Sequence, residues 1–301
     1  MAAPWSWSLR GLVGLLSVIW GFNFIFTKVG LTEASPLWLA FLRAAVGAAG
    51  TAALLIWLSP ERTLHGRGRW EAMAIGIPST TAFYALLFIG IDTVLPGFAS
   101  VLIYTFPLWV ALLSPWVLRH RLTPRLVGAL LAGFAGVVLV SQPWNELRGT
   151  VTALPILELL GGAIAWAIGT VLFQRRFSQK EMLEANAYQL LGGTVGLAIL
   201  VAALAPTPLP AQTPDLVGIL VWLGIIGTSV AYTIWSYLLG HTHAVTLSAY
   251  LFLVPVVALA ASAVIFEERL AVVQLAGVAL VFLAIYGIGT APGAHDFELT
   301  E

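Results

Sequence analysis

LVGILVWLGIIGTSVAYTIWSYLLGHTHAVTLSAYLFLVPVVALAASAVIF, from Leu216 to Phe266, contains no Asp, Glu, Lys or Arg. A helix needs about 20 apolar residues to cross the hydrocarbon of a bilayer. The run is too long for one crossing and divides at Gly240-His241-Thr242-His243. Glu267-Glu268-Arg269 then ends it. These carboxylates read first as a helix terminus leaving the membrane.

The whole chain has the same character. Apolar residues make up 59 % of its 301 residues and charged residues 9 %. Soluble domains carry about 25 % charged residues, so this chain cannot cover a water-facing surface. An all-α integral membrane protein embedded in a lipid bilayer is the class that fits. The 14 basic and 14 acidic residues balance, which gives nucleic acid no basic face. No cysteine is present, which excludes disulfides and thiolate chemistry. The first apolar run, Leu9 to Phe26, is longer than a signal-peptide core and is expected to be a span.

Hydropathy predicts ten transmembrane helices, over 9–28, 36–58, 71–90, 95–118, 125–142, 154–174, 185–205, 215–239, 244–266 and 271–290. Placing both termini in the cytoplasm sorts the basic residues. Arg10, Arg62, Arg67, Arg69, Arg119, Arg121, Arg125, Arg175, Arg176 and Lys180 fall inside. Only Lys28, Arg148 and Arg269 fall outside, the asymmetry that orients short loops.

The halves repeat. A shift of 148 positions aligns Gly76 with Gly224, Thr80 with Thr228, Tyr84 with Tyr232, Ser100 with Ser248, Pro107 with Pro255 and Arg121-Leu122 with Arg269-Leu270. A shift of 146 aligns Trp20 with Trp166, Gly47 with Gly193 and Gly50 with Gly196. Five spans per half is an odd number, so the second half enters the membrane inverted. Residues 1–145 and 146–290 are expected as the two inverted five-helix repeats, with 291–301 a short cytoplasmic tail. Inverted repeats are a secondary-transporter architecture with the substrate near the midplane.

The stretches VIWGFNFIFTKVGL, LWLAFLRAAVGA and ASVLIYTFPLWVALLSPWVLRHRL, with LGGAIAWAIGTVLFQRR, AYQLLGGTVGL and LSAYLFLVPVVALAASAVIFEERL in the second half, resemble the EamA-type branch of the drug/metabolite transporter superfamily. The resemblance spans nearly the whole chain. It implies a bacterial or archaeal inner-membrane exporter of small metabolites, amino acids being the best-known substrates. Where the family often closes the fourth span with an acidic residue, this chain has Arg119-His120.

Polar groups within a membrane face protein or water. Trp20, Asn23 and Thr27 share one face of the first span, Thr80 and Tyr84 lie one turn apart in the third, and Thr228, Tyr232 and Trp235 repeat that spacing in the eighth. Ser100 and Tyr104 precede Pro107, Trp166 shares a stripe with Gly162 and Thr170, and Ser248 and Phe252 precede Pro255. The family's fold would gather these helices around one cavity. The substrate-binding candidates are therefore Trp20, Asn23, Tyr84, Ser100, Tyr104, Trp166, Tyr232, Trp235 and Ser248. An aromatic, weakly polar wall suits small amphiphiles better than sugars or multiply charged anions. The bland alternative is helix packing, which favours Ser, Thr and Gly in membranes. Trp5, Trp7, Trp57 and Trp70 read as interfacial anchors.

Pro107 and Pro255, in mid-helix, are expected to kink their helices, as gate hinges or static bends. Arg43 lies about 10 Å deep at 1.5 Å per residue. It either snorkels outward, pins a helix or anchors a substrate carboxylate. Glu158, early in the sixth span, is an interfacial carboxylate or a proton-coupling group. His241 and His243 alone make a poor metal site, so no metal and no cofactor is expected. Neither an HExxH sequence nor a phosphate-binding glycine loop is present, and no nucleophile is paired with a base, so no enzyme is expected.

The expectation is a secondary transporter, monomer or homodimer, exporting small organic metabolites, amino acids foremost. The alternatives are a broad-specificity drug-efflux carrier and, from another class, a membrane enzyme or lipid-handling scaffold.

Overall fold

The structure, a computed structural model, describes residues 7–58, 63–119, 122–144, 152–205, 207–265 and 270–289. The loop charges Arg62, Arg121, Arg148 and Glu267-Glu268-Arg269, His120, and the tail 291–301 lie outside the described residues.

Among those residues every regular element is helical. The spans are α1 Trp7–Gly30, α2 Pro36–Leu58, α3 Arg67–Asp92, α4 Pro96–Val117, α5 Pro124–Ser141, α6 Ala153–Arg176, α7 Met182–Leu204 and α8 Pro214–Leu239. Then follow α9, in two pieces Ala244–Tyr250 and Leu253–Ile265, and α10 Val272–Gly289. Nine of these are long and apolar enough to cross a membrane; α10 is apolar but shorter over its described residues. Proline opens α2, α4, α5 and α8, where its missing N–H costs nothing. The Thr123 and Thr213 hydroxyls cap α5 and α8 by accepting from Leu126 N and Leu216 N.

Hydropathy gave no hint of two irregularities. α3 widens into a π-helical stretch over Ile77–Ala82, and α8 does the same over Val221–Val230. These are matched places in the two halves. α4 and α9 are interrupted rather than kinked. The α4 break, at Tyr104 and Thr105, directly precedes Phe106–Val117, so Pro107 stands in the first turn of a new helix. The α9 break, at Leu251 and Phe252, precedes Leu253–Ile265 in the same way, with Pro255 in its first turn. The expected mid-helix kinks are thus helix restarts: the missing N–H falls where no intrahelical bond is needed.

The packing is paired. α2 lies on α8 as α7 lies on α3, α1 on α9 as α6 on α4, and α6 on α3 as α1 on α8, while α5 meets α10 and α2 meets α7. Replacing each helix by the one five places along returns the same scheme. The closest approaches match too. A Cβ on Gly47 would run into Thr228, and one on Gly193 into Thr80. Without hydrophobic pressure between helices in lipid, such small-residue contacts let van der Waals packing hold the bundle.

One end of the bundle gathers Arg69, which donates to Leu64 O, and the ion pair of Arg176 with Glu71. There the buried Glu184 carboxylate accepts from Thr63 N at 2.7 Å and Leu64 N at 2.9 Å, fastening the α2–α3 loop to α7. The opposite end holds Lys28, Asp92 and Val94. Trp57 and Trp70 are largely exposed, as anchors facing lipid headgroups would be.

Candidate functional site

The centre of the bundle is aromatic. Trp166 of α6 stacks on Phe106 at 3.9 Å and on Phe83 at 4.9 Å. Trp20 of α1 meets Trp166 and Tyr232 edge-on at 5.3 and 5.8 Å, and Trp235 in a tilted contact at 5.7 Å. Tyr84 meets Tyr232 edge-on at 6.3 Å. Offset and edge contacts of this kind are the favoured aromatic geometry. Together they form a wall across the molecule.

On the Lys28 side of the wall lies a small cavity. Its lining includes Trp20, Asn23, Arg43, Tyr104, Trp166 and Tyr232. Arg43 does not snorkel: it is 4 % exposed and crosses to α8. Its Nε donates to Thr228 Oγ1 at 3.0 Å and its Nη2 to Gly227 O at 3.4 Å. Its guanidinium carbon stands 4.5 Å from the Tyr84 ring centroid, a cation–π contact. No carboxylate pairs with it among the described residues.

The π-helical turn of α8 supplies the acceptors. A turn of this type re-aims backbone groups, and such turns gather at functional sites. Gly227 O also accepts from Trp20 Nε1 and from Asn23 Nδ2, each at 3.3 Å. A side chain at Gly227 would run into the Asn23 amide. Thr228 Oγ1 donates to Leu223 O at 2.8 Å. Its lone pairs therefore serve Arg43 Nε and the Tyr84 hydroxyl, 3.2 Å away. Asn23 Oδ1 accepts from Trp222 Nε1 at 3.1 Å.

The sequence candidates divide. Trp20, Asn23, Tyr104, Trp166, Tyr232 and Arg43 line this cavity; Tyr84 and Trp235 stand in or against the aromatic wall. Ser100 and Ser248 do not join them. Ser100 donates to Gly97 O at 2.7 Å and lines an apolar groove among α1, α4, α5, α9 and α10, which Pro255 also borders. Ser248, fully buried, donates to Val245 O. Pro107 is buried in α4, away from the cavity lining. Glu158 is half-buried on α6 and lines neither the cavity nor the groove. Among the described residues no cluster of three His, Asp or Glu side chains is placed to hold a metal.

The EamA-like transporter profile matches this chain twice, over residues 10–142 and 153–290. The chain belongs to the EamA-like transporter family. It is a multi-pass membrane protein of the cell membrane, the inner one where a bacterium has two. This transporter is 29 % identical to a probable amino-acid metabolite efflux pump of Escherichia coli K12, over 90 % of this chain and 91 % of that one. It is 26 % identical to the uncharacterized transporter YvbV of Bacillus subtilis 168, over 93 % and 90 %. One solved crystal structure shares its fold, with a TM-score of 0.75 at 19 % identity over 92 % of this chain and 96 % of the other.

Proposed function

We propose that this transporter is a secondary exporter of small organic metabolites that bear a carboxylate and an apolar body, amino acids foremost. The observation that carries the reading is the Arg43 guanidinium, buried beside an aromatic cavity with no carboxylate partner among the described residues. A buried cation without a counter-ion is costly. A substrate carboxylate would supply that charge, while the aromatic wall receives its side chain. In this reading Asn23 and the tyrosines hold the ammonium and orient the ligand.

The accompanying architecture is ten spans in two inverted five-helix repeats, termini in the cytoplasm, exchanging conformations to open the site to either side. The double family match and the paired packing support it. The breaks ahead of Pro107 and Pro255 are its gate hinges. The relative in Escherichia coli bears the name of an amino-acid metabolite efflux pump, which supports the substrate class.

Counterflow of radiolabelled amino acids into proteoliposomes tests the reading. Accumulation of a defined amino acid in the wild type, lost in Arg43→Gln, is expected. A broad-specificity drug-efflux carrier is the second reading, favoured by the apolar groove bordered by Leu95 and Leu259. Exchange of a lipophilic cation, with no amino acid exchanged, would favour it instead.

A further inference from the structure

A second, smaller cavity lies across the aromatic wall, on the Arg176 and Thr242 side. Its lining is the repeat image of the first. At the 146 shift Trp20, Phe24, Thr27 and Arg43 of the first become Trp166, Thr170, Phe173 and Gln189 of the second. At the 148 shift Leu87 and Ile91 become Trp235 and Leu239. The place of the guanidinium is taken by an amide.

Gln189 is 6 % exposed and lines this cavity, where its side-chain amide, without a protein partner among the described residues, stays open to the cavity space. Buried polar groups are almost always partnered, because an unmade bond forfeits the group's hydration. Asn186, one turn earlier and fully buried, has no partner among the described residues at either amide atom. Ser79 and Ser236 face the same space and donate to their own helices, at Ile75 O and Tyr232 O. Each hydroxyl oxygen keeps acceptor capacity for a ligand.

We propose that this cavity is the second half of the substrate path, entered from the Arg176 side, and that Gln189 receives the polar head of the substrate there. The inference rests on the transport reading above and adds the chemistry of the other side. An amide donates and accepts, so it holds a carboxylate without a full charge. Its grip on an anion is weaker than that of Arg43, because the amide brings no positive charge of its own to the carboxylate. Discrimination for the carboxylate therefore resides at the Arg43 end, and binding is looser at the Gln189 end.

The chain has no cysteine, so Gln189→Cys and Ser236→Cys each give a single thiol. The full-length variants, in vesicles of either orientation, are treated with a membrane-impermeant methanethiosulfonate, and Ser178→Cys marks the Arg176 side. Labelling at least about tenfold faster from that side, slowed by a mixture of the protein amino acids, is expected. One thiol suffices if the other variant fails to fold. Equal labelling from both sides, or none from the Arg176 side, would overturn the proposal. Gln189→Leu should raise KM for flux starting on the Arg176 side by about tenfold or more, the worth of one hydrogen bond to a charged group. KM from the opposite side should stay unchanged; an equal rise on both sides would also overturn it. If no amino acid exchanges or protects in the wild type while labelling stays one-sided, the amino-acid reading fails and the two-ended path stands.

Discussion

Lys28 and Gln174 hold the same turn at opposite ends of the molecule. Lys28 Nζ donates to Ile91 O, Asp92 O and Val94 O at 3.1, 2.8 and 3.2 Å, binding α1 to the turn after α3. Gln174 Nε2 donates to Leu239 O and Thr242 O at 2.9 and 2.7 Å, binding α6 to the turn after α8. Ile91 and Val94 are related to Leu239 and Thr242 by the 148 shift, and the donors by the 146 shift; the third acceptor of Lys28, Asp92 O, has no counterpart. The difference on the Gln174 side is chemically matched. Gln174 Oε1 accepts from Ala244 N at 2.8 Å. The residue at the corresponding place is Pro96, which has no N–H, and lysine has no acceptor to offer it.

Gln174→Ala removes three bonds from a half-buried turn and leaves Leu239 O, Thr242 O and Ala244 N without that partner. At about 1 kcal/mol net each, it should lower stability by about 2–3 kcal/mol. Gln174→Lys should cost less, because it loses chiefly the bond from Ala244. Thermal unfolding in detergent followed by tryptophan fluorescence orders the variants; equal stability of wild type and Gln174→Ala would dismiss the staple.

Glycine substitutions test the paired packing. Gly193→Ala places a methyl against Thr80 in the α3–α7 contact and should destabilise by about 1–3 kcal/mol. Gly218→Ala in α8 meets nothing within 4 Å and should be neutral or stabilising by up to about 1 kcal/mol. The same unfolding assay separates them, and a reversed order would contradict the packing.

Thr228 carries more than its size implies. Thr228→Val leaves Arg43 Nε and the Tyr84 hydroxyl without their shared acceptor, at a cost of about 2–3 kcal/mol. Tyr84→Phe removes one donor and keeps the ring under the guanidinium, so it should cost about 1 kcal/mol. A stability loss for Tyr84→Phe matching that of Thr228→Val would argue against the hydroxyl as the hub.

Much of this was legible in the sequence, because apolar runs bounded by proline and polar loops fix where helices begin. The spans over 36–58 and 125–142 fall within a residue of α2 and α5. The π-helical turns were not legible: widening a turn changes hydrogen-bond register without changing hydropathy. The direction of Arg43 was not legible either, since a long stem can reach either way until its acceptors on α8 are placed. Gln189 and Gln174 were missed although a signal existed. The shift that pairs Gly47 with Gly193 also pairs Arg43 with Gln189 and Lys28 with Gln174. Matching unlike polar residues, rather than identical ones, would have found both. Ser100 and Ser248 were misleading because spacing ahead of a proline does not say which side of the helix faces the cavity.

The break ahead of Pro255 should matter to motion more than to folding. Pro255→Ala restores an N–H that can join α9 into one continuous helix. It should slow transport several-fold while purified yield and unfolding temperature hold or rise. A wild-type transport rate in the purified variant would remove the hinge from the account.

The central claim is that Arg43 holds a carboxylate, and competition in counterflow tests it most directly. The amino acid that exchanges fastest is competed by its unlabelled acid and by the corresponding amide, in wild type and in Arg43→Gln. A charge-assisted bond is worth about 1.5–3 kcal/mol, so the wild type should prefer the acid by about 10- to 150-fold. That preference should fall to near unity in Arg43→Gln. An undiminished preference in Arg43→Gln, or none in the wild type, would contradict the account.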